Sequence, residues 1–130
     1  MKTVTAAIVL KNRQVLLTRR ASDQKLAGFW EFPGGKVEEG ESLQECLQRE
    51  LREELGVSSV VGEEIVTSKY HYQHGAINLV AMSADLLNED LTLSVHDKAI
   101  WVPLADLMNY QLAPADIPIA AHLQEKFGEV

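Results

Sequence analysis

The sequence holds a single cysteine, Cys46, so the chain cannot close a disulfide within itself, and a lone thiol suits a reducing compartment. Long apolar runs are missing as well. Stretches such as residues 6–10 fall far short of the roughly 20 residues that a membrane-spanning helix needs. Met1 and Lys2 lead straight into alternating residues, without the charged start, apolar run and small-residue cleavage site of a secretory leader. These absences predict a cytoplasmic protein with no membrane partner. Basic residues are scarce too: 12 Lys and Arg against 19 Asp and Glu give a formal charge of −7. That argues against general binding to DNA or RNA, which needs a basic face. A polyanionic ligand would have to be held by a local cationic feature or a bound metal.

What is present is ordinary for a globular protein. The chain has 130 residues, 46% hydrophobic and 24% charged, enough for one compact domain with a real core. No internal repeat, low-complexity tract or interdomain linker interrupts it. Residues 4–10 and 14–19 are β-rich runs separated by Lys11, Asn12 and Arg13, which reads as a hairpin. Residues 21–28 read as a loop, and 29–32 as a short apolar segment ended by Pro33, Gly34 and Gly35. Residues 42–55 form the clearest helix. Strands are predicted at 60–72 and 76–86, joined around Gln73, His74 and Gly75, with a further short strand at 99–102. Residues 103–110 have room for one or two helical turns, and Ile117–Phe127 for a terminal helix. This order of elements predicts an α/β fold with a sheet packed between helices.

The central helix carries the chemistry. Ser42 and Glu45 make an S-x-x-E capping box, and Gly56 suits the left-handed residue that closes a helix. At about 100° per residue, Leu43, Leu47, Leu51 and Leu55 form one apolar stripe. On the same wheel Glu54 falls inside that stripe, and Glu50 and Glu53 fall beside it, near Cys46. The three acids are helix neighbours. At an effective dielectric near 20, each ionised pair repels by about 3 kcal/mol, and burial adds a desolvation penalty. A divalent cation reverses that sign, and hard oxygen ligands favour Mg²⁺ or Mn²⁺. A solvated acidic helix laced by ion pairs is the plainer alternative, with Arg49 able to reach Glu45 and Glu53 four residues to either side.

From Gly35 the chain reads Gly35, five residues, Glu41, seven residues, then Arg49-Glu50-Leu51-Arg52-Glu53-Glu54-Leu55-Gly56-Val57. This resembles the Nudix box, G-x5-E-x7-R-E-U-x-E-E-x-G-U with U apolar, at every fixed position. Residues 16–20 and 30–36 look like the MutT branch of that superfamily, and residues 112–118 resemble its bacterial CTP pyrophosphohydrolase relatives. The resemblance covers one domain over residues 1–130. It implies an α/β/α sandwich with a mixed central sheet, in which a loop–helix–loop presents metal ligands. It also implies hydrolysis of a nucleoside diphosphate linked to another moiety; for MutT-like members the products are a nucleoside monophosphate and pyrophosphate.

Carried over residue by residue, the resemblance gives Glu50, Glu53 and Glu54 to Mg²⁺, with Mn²⁺ as a possible substitute. A backbone carbonyl at Gly34 or Gly35 would help, since glycine lets main chain approach an ion closely. Glu50 or Glu53 would be the general base, and Arg49 would position the glutamates. Glu41 is either an outer metal-shell acid or a helix-start acid favoured by the dipole. Arg20 matches a substrate-contacting arginine of MutT, against the alternative of a surface ion pair. Lys25 and Lys36 offer phosphate contacts or simply solvated charges. Glu31 and Phe32 belong to a nucleotide-contacting strand, although Phe32 taken alone reads as core. Tyr72 offers a ring for base stacking or for packing. Asp116 stands where MutT has an asparagine that reads the base; its alternative role is to cap the terminal helix. An ionised aspartate lacks a donor, so it would favour a base edge offering amino or ring N–H groups.

One departure stands out. Val95 occupies the position, six residues before Trp101, at which close relatives of MutT usually carry a glutamate. Asp97 could substitute after a small backbone shift, and His96 is either a phosphate contact or a surface-loop histidine. The expected activities are removal of oxidised nucleotides such as 8-oxo-dGTP, or cleavage of CTP, dCTP or modified pyrimidine triphosphates. Other Nudix substrates such as ADP-ribose and diadenosine polyphosphates, and a non-catalytic nucleotide sensor, stay open. So does the oligomeric state.

Overall fold

A computed structural model describes residues 1–73 and 75–127. His74, in the expected turn between two strands, lies outside the described residues. Strand β1 (Lys2–Ile8) runs parallel to β6 (Gly75–Leu86), which pairs antiparallel with β5 (Ser59–Tyr72). A second sheet is antiparallel: β2 (Leu10–Lys11), β3 (Gln14–Arg20) and β4 (Trp30–Glu31), with β7 (His96–Pro103) on β3. Helix α1 (Leu43–Leu55) and the terminal helix α2 (Ile117–Phe127) complete the fold, with 3₁₀ turns at Leu104–Asn109 and Pro114–Asp116.

β6 is apolar on both faces because a helix covers each. Leu79 and Ala81 pack into a cluster with Ile119, Ala120 and Leu123 of α2. Val80 and Met82 pack into a second cluster with Leu47, Leu51 and Leu55 of α1. Strand alternation thus sends successive residues to opposite layers. The three leucines are fully buried, each contributing about 1.5–3 kcal/mol to folding, and they fix the face that α1 turns to the sheet.

The expected hairpin is shorter than its sequence suggests. Asn12 and Arg13 both have positive φ (54° and 64°), the pattern of a two-residue I′ turn. Only Leu10 and Lys11 of the first run pair with β3, however. Residues 2–8 instead join β6 in parallel, a long-range pairing that buries β1 between the two helix layers. The short strand expected at 99–102 extends back to His96. A bulge between Arg19 and Arg20 lets His96 stand opposite Arg20. The one or two helical turns expected at 103–110 are a 3₁₀ helix at Leu104–Asn109, and a further 3₁₀ turn at Pro114–Asp116 was not expected.

Two irregular segments deliver the site. The chain at 33–37 lies along the free edge of β1, through Ala7 N–H to the Pro33 carbonyl (2.7 Å), Thr5 N–H to Gly35 (2.8 Å) and Val37 N–H to Thr3 (3.0 Å). The chain at 111–113 lies along β4, with Trp30 N–H on the Gln111 carbonyl and Ala113 N–H on the Trp30 carbonyl, both at 2.8 Å. One brings the glycine loop against α1, and the other brings Asp116 against Phe32.

Candidate active site

Helix α1 starts and stops as its sequence dictates. Ser42 accepts the Glu45 N–H, Glu45 reaches back to the Ser42 N–H, and Gly56 ends the helix in the left-handed region (φ 68°). Its acidic residues then separate by environment. The Glu54 Oε1 atom is buried without a hydrogen-bond partner among the described residues. Burial pushes the Glu54 carboxyl up to about 8, with the nearby charges of Glu31 and Glu50 adding to the effect. Burial likewise raises Glu50 above the usual carboxylate range, against the pull of Arg49. Glu53 departs from expectation: its side chain is 60% exposed. It sits at the edge of the apolar stripe, ion-paired with the less exposed Arg49 at 3.1 Å.

The glycine loop is fitted to this helix. A Cβ at Gly35 would stand 2.3 Å from the Glu50 carboxyl carbon, and one at Gly34 would stand 2.0 Å from the Thr5 carbonyl oxygen. Any larger residue at either place would push the loop away from Glu50 or from β1. The Gly35 carbonyl is already taken by the Thr5 N–H (2.8 Å) and the Thr5 hydroxyl (3.2 Å). Of the two carbonyls considered for a metal, Gly34 is therefore the better placed. Among the described residues no three carboxylate, imidazole or thiol groups already surround one point. The fit to a cation rests on the donors: Glu50 lies against the loop, Glu54 carries an unpaired buried oxygen, and all the atoms are hard oxygens.

Arg49 organises the outer side. Its Nε and Nη2 grip Glu41 at 2.6 and 3.1 Å, Nη1 donates to Glu50 (2.9 Å) and Glu53 (3.1 Å), and Nη2 donates to the Lys36 carbonyl (3.0 Å). The expected pair with Glu45 does not form, because the capping box engages that side chain. Glu41 is thus the clamp on Arg49, its carboxyl lowered from the usual value chiefly by that bond.

Beyond Glu54 a cleft of about 140 Å³ runs from Gly34 and Gly35 to Asp116, lined also by Arg20, Glu31, Phe32 and Tyr72. Its mouth, about 500 Å³, shares Leu26 and Ile77 with it and adds Lys25. Arg20 is ion-paired and at the cleft together: Nη1 holds Glu31 Oε2 at 3.2 Å and Nε donates to the Lys25 carbonyl at 2.9 Å. Phe32 is buried in the core, as its residue type alone suggests, yet it forms one wall. Tyr72 meets Tyr70 edge-on at 4.6 Å and stands beside the Ala115 backbone. Asp116 is buried and its Oδ2 accepts the Phe32 N–H at 2.9 Å, so it turns to the strand rather than to the helix that follows it. Burial, with Glu31 nearby, pushes its carboxyl well above the ordinary range. Lys36 is exposed.

The departure around Val95 resolves differently from either expectation. Asp97 makes a bidentate pair with Arg19 (2.8 and 3.0 Å), outside the glutamate cluster. His96 is not a surface-loop residue: its side chain is fully buried, with Nε2 2.8 Å from Glu31 Oε2.

Comparison with known proteins decides the family. The NUDIX domain family matches residues 1–123. The chain belongs to it. This Nudix hydrolase is 39% identical over 116 residues to the CTP pyrophosphohydrolase of Escherichia coli (strain K12), covering 89% of this chain and 86% of that one. It is 35% identical over 120 residues to the putative 8-oxo-dGTP diphosphatase 2 of Mycobacterium tuberculosis (strain ATCC 25618 / H37Rv), covering 87% and 81%. The solution structure of the E. coli ORF135 protein superposes with a TM-score of 0.83 at 36% identity, covering 96% of this chain and 89% of that one. The MutT protein of Methanosarcina mazei Go1 shares the fold, with a TM-score of 0.87 at 24% identity over 98% and 96% of the two chains. The fold is therefore that of the MutT-type Nudix hydrolases, and no helix among the described residues is long and apolar enough to cross a membrane.

Two contributors escaped sequence reasoning, and a third, His96, was read only as a phosphate contact or a surface-loop histidine. His96 was hidden by the bulge at Asp97 of β7, opposite Arg19 and Arg20, which alters the register a strand pattern assumes. Leu26 lines the cleft mouth with φ at +55°, in a loop with no periodicity to read. Thr5 engages the Gly35 carbonyl from a position that only the pairing of β1 with the loop reveals. No local signal marks any of them.

Proposed function

We propose that this Nudix hydrolase is a magnesium-dependent nucleoside triphosphate diphosphohydrolase that releases a nucleoside monophosphate and pyrophosphate, acting on oxidised nucleotides such as 8-oxo-dGTP. The observation that carries this reading is Glu54: a buried carboxyl near Glu50, with one oxygen unpartnered among the described residues, bonded to the backbone of Gly34, which lines a cleft that also holds Asp116. Glu50, Glu54 and the Gly34 carbonyl would hold the ion. Glu53 would join by releasing an exposed contact with Arg49, which costs about 1 kcal/mol or less. Magnesium, when bound, neutralises phosphate oxygens and lowers the pKa of a coordinated water. Glu50 or Glu53 takes a proton from the attacking water, while Arg49 keeps both carboxylates aligned. Arg20, with Lys25 and Lys36 at the periphery, supplies positive charge to the phosphates on a protein that is acidic overall. Tyr72 stacks on the base. Asp116 reads it, with Glu31 and Phe32 fixing its surroundings.

A pyrimidine triphosphate is the second reading. It is favoured by the 39% identity to a CTP pyrophosphohydrolase, while the buried Asp116 serves either reading. With its carboxyl neutral, Asp116 offers a donor as well as an acceptor, a pattern that suits the edge of cytosine or of an 8-oxopurine. Pyrophosphate release at micromolar concentrations of normal, oxidised and methylated triphosphates separates the two readings. Magnesium-dependent release fastest from 8-oxo-dGTP supports the first, and fastest from CTP or dCTP the second. Nucleotide binding with no turnover of any of them would show a sensor instead.

A further inference from the structure

The Glu31 carboxylate meets two partners, and both fall on one oxygen. Arg20 Nη1 reaches Oε2 from the cleft side at 3.2 Å, and His96 Nε2 reaches the same atom from the interior at 2.8 Å. The imidazole is wholly buried, whereas the Arg20 and Glu31 side chains keep 22% and 15% of their surface. Nδ1 of His96 has no partner among the described residues. The ring is therefore anchored by its bond to Glu31 and by packing. A buried imidazole with one open nitrogen costs stability, which packing alone does not explain, since an apolar residue would fill the space without that cost. The bulge between Arg19 and Arg20 places His96 opposite Arg20, the re-aiming that bulges perform beside functional sites.

We propose that His96 is a positioning residue for nucleotide binding, acting through Glu31. By donating to Oε2 from behind, His96 holds the Glu31 carboxylate in one rotamer. Oε2 then faces Arg20, and Oε1 is left to accept from a nucleotide N–H or O–H group in the cleft. Without the imidazole, Glu31 has only the Arg20 side to hold it, and both side chains gain freedom that binding must remove. The residue touches neither phosphate nor water. It rests on the diphosphohydrolase reading above, whose nucleotide occupies this cleft.

The test compares His96→Leu, His96→Gln and His96→Asn with the parent, magnesium supplied. Kinetics use the triphosphate turned over fastest by the parent, and calorimetry uses the α,β-methylene analogue of dGTP. Loss of one hydrogen bond to a charged group predicts a rise of about tenfold or more in KM and Kd for His96→Leu, with kcat within about threefold. Glutamine, whose amide nitrogen reaches as far as Nε2, restores KM; the shorter asparagine does not. In a Glu31→Gln background the His96→Leu change has no further effect on KM. An unchanged KM in His96→Leu, a loss confined to kcat, or an equal loss with and without the Glu31 carboxylate overturns the proposal. Should His96→Leu fail to fold, the glutamine and asparagine pair decides the matter alone. A parent that turns over no triphosphate defeats the diphosphohydrolase reading, and calorimetry then judges His96. A parent that neither turns over nor binds nucleotide overturns both.

Discussion

Asp116 accepts the backbone N–H of Phe32 at 2.9 Å, a bond that spans 84 residues of sequence. It ties the approach to the terminal helix to the strand that leads into the glycine loop. Asp116 and the glutamate helix are thereby tied to one strand, where burial and then the charge of Glu31 raise the carboxyl groups of both Glu54 and Asp116.

Replacement of Asp116 by asparagine keeps an acceptor for the Phe32 N–H, so the fold should persist. The proton pattern shown to the base changes, and the ranking of triphosphates by kcat/KM should shift, by about tenfold between the best two substrates. Steady-state kinetics on a panel of bases checks this. An identical ranking for both proteins removes Asp116 from base recognition.

Glu53→Gln should fold like the parent, because the side chain is 60% exposed and an exposed ion pair contributes little. Turnover should fall by at least about a hundredfold, as loss of a metal or base group does. Circular dichroism alongside pyrophosphate release reads both outcomes. Full activity in this variant would take Glu53 out of the mechanism.

Much of this site was legible because its information is local. The capping box at Ser42 and Glu45, the stop at Gly56 and the leucine stripe of α1 all lie within a few turns of one helix. The stripe located Glu54 correctly but misplaced Glu53, since a wheel assigns a face and does not tell how exposed a side chain at the edge of that face becomes. Long-range pairing was not legible. Nothing in residues 2–8 says that their partner is β6 rather than the adjacent strand, and Glu41 gave no sign that it, rather than Glu45, would clamp Arg49. Asp97 turns to Arg19 and His96 is buried against Glu31, because one bulge shifted the register.

The metal-free protein should lose stability as pH rises. Glu54 titrates near 4.5 when exposed and near 8 when folded, so the folded state binds more protons through that interval. Stability falls with pH across it, by at most about 1.4 kcal/mol per pH unit for this one group. Asp116 acts in the same direction. Thermal melting in a chelator should give a lower Tm at pH 8 than at pH 5, and Glu54→Gln should flatten the slope without abolishing it. Added magnesium should raise Tm more at pH 8, where protons compete less for the ligands. A pH-independent Tm would contradict the buried-carboxylate account.

Arg49→Lys retains charge but loses the planar fork that reaches Glu41, Glu50, Glu53 and the Lys36 carbonyl together. Stability should drop by about 1–3 kcal/mol and kcat by roughly tenfold or more, as aligned carboxylates lose their order. Urea denaturation and steady-state kinetics measure the two effects. A lysine variant with unaltered kcat would show that Arg49 serves stability alone.

Anomalous diffraction from crystals grown with Mn²⁺ and a non-hydrolysable nucleoside triphosphate tests the placement of the ion directly. The predicted result is a manganese peak within coordination distance of Glu50 and Glu54 carboxylate oxygens, with phosphate oxygens on its other side. Nucleotide bound in the cleft with no peak at those glutamates, or a peak held by other residues, would contradict it.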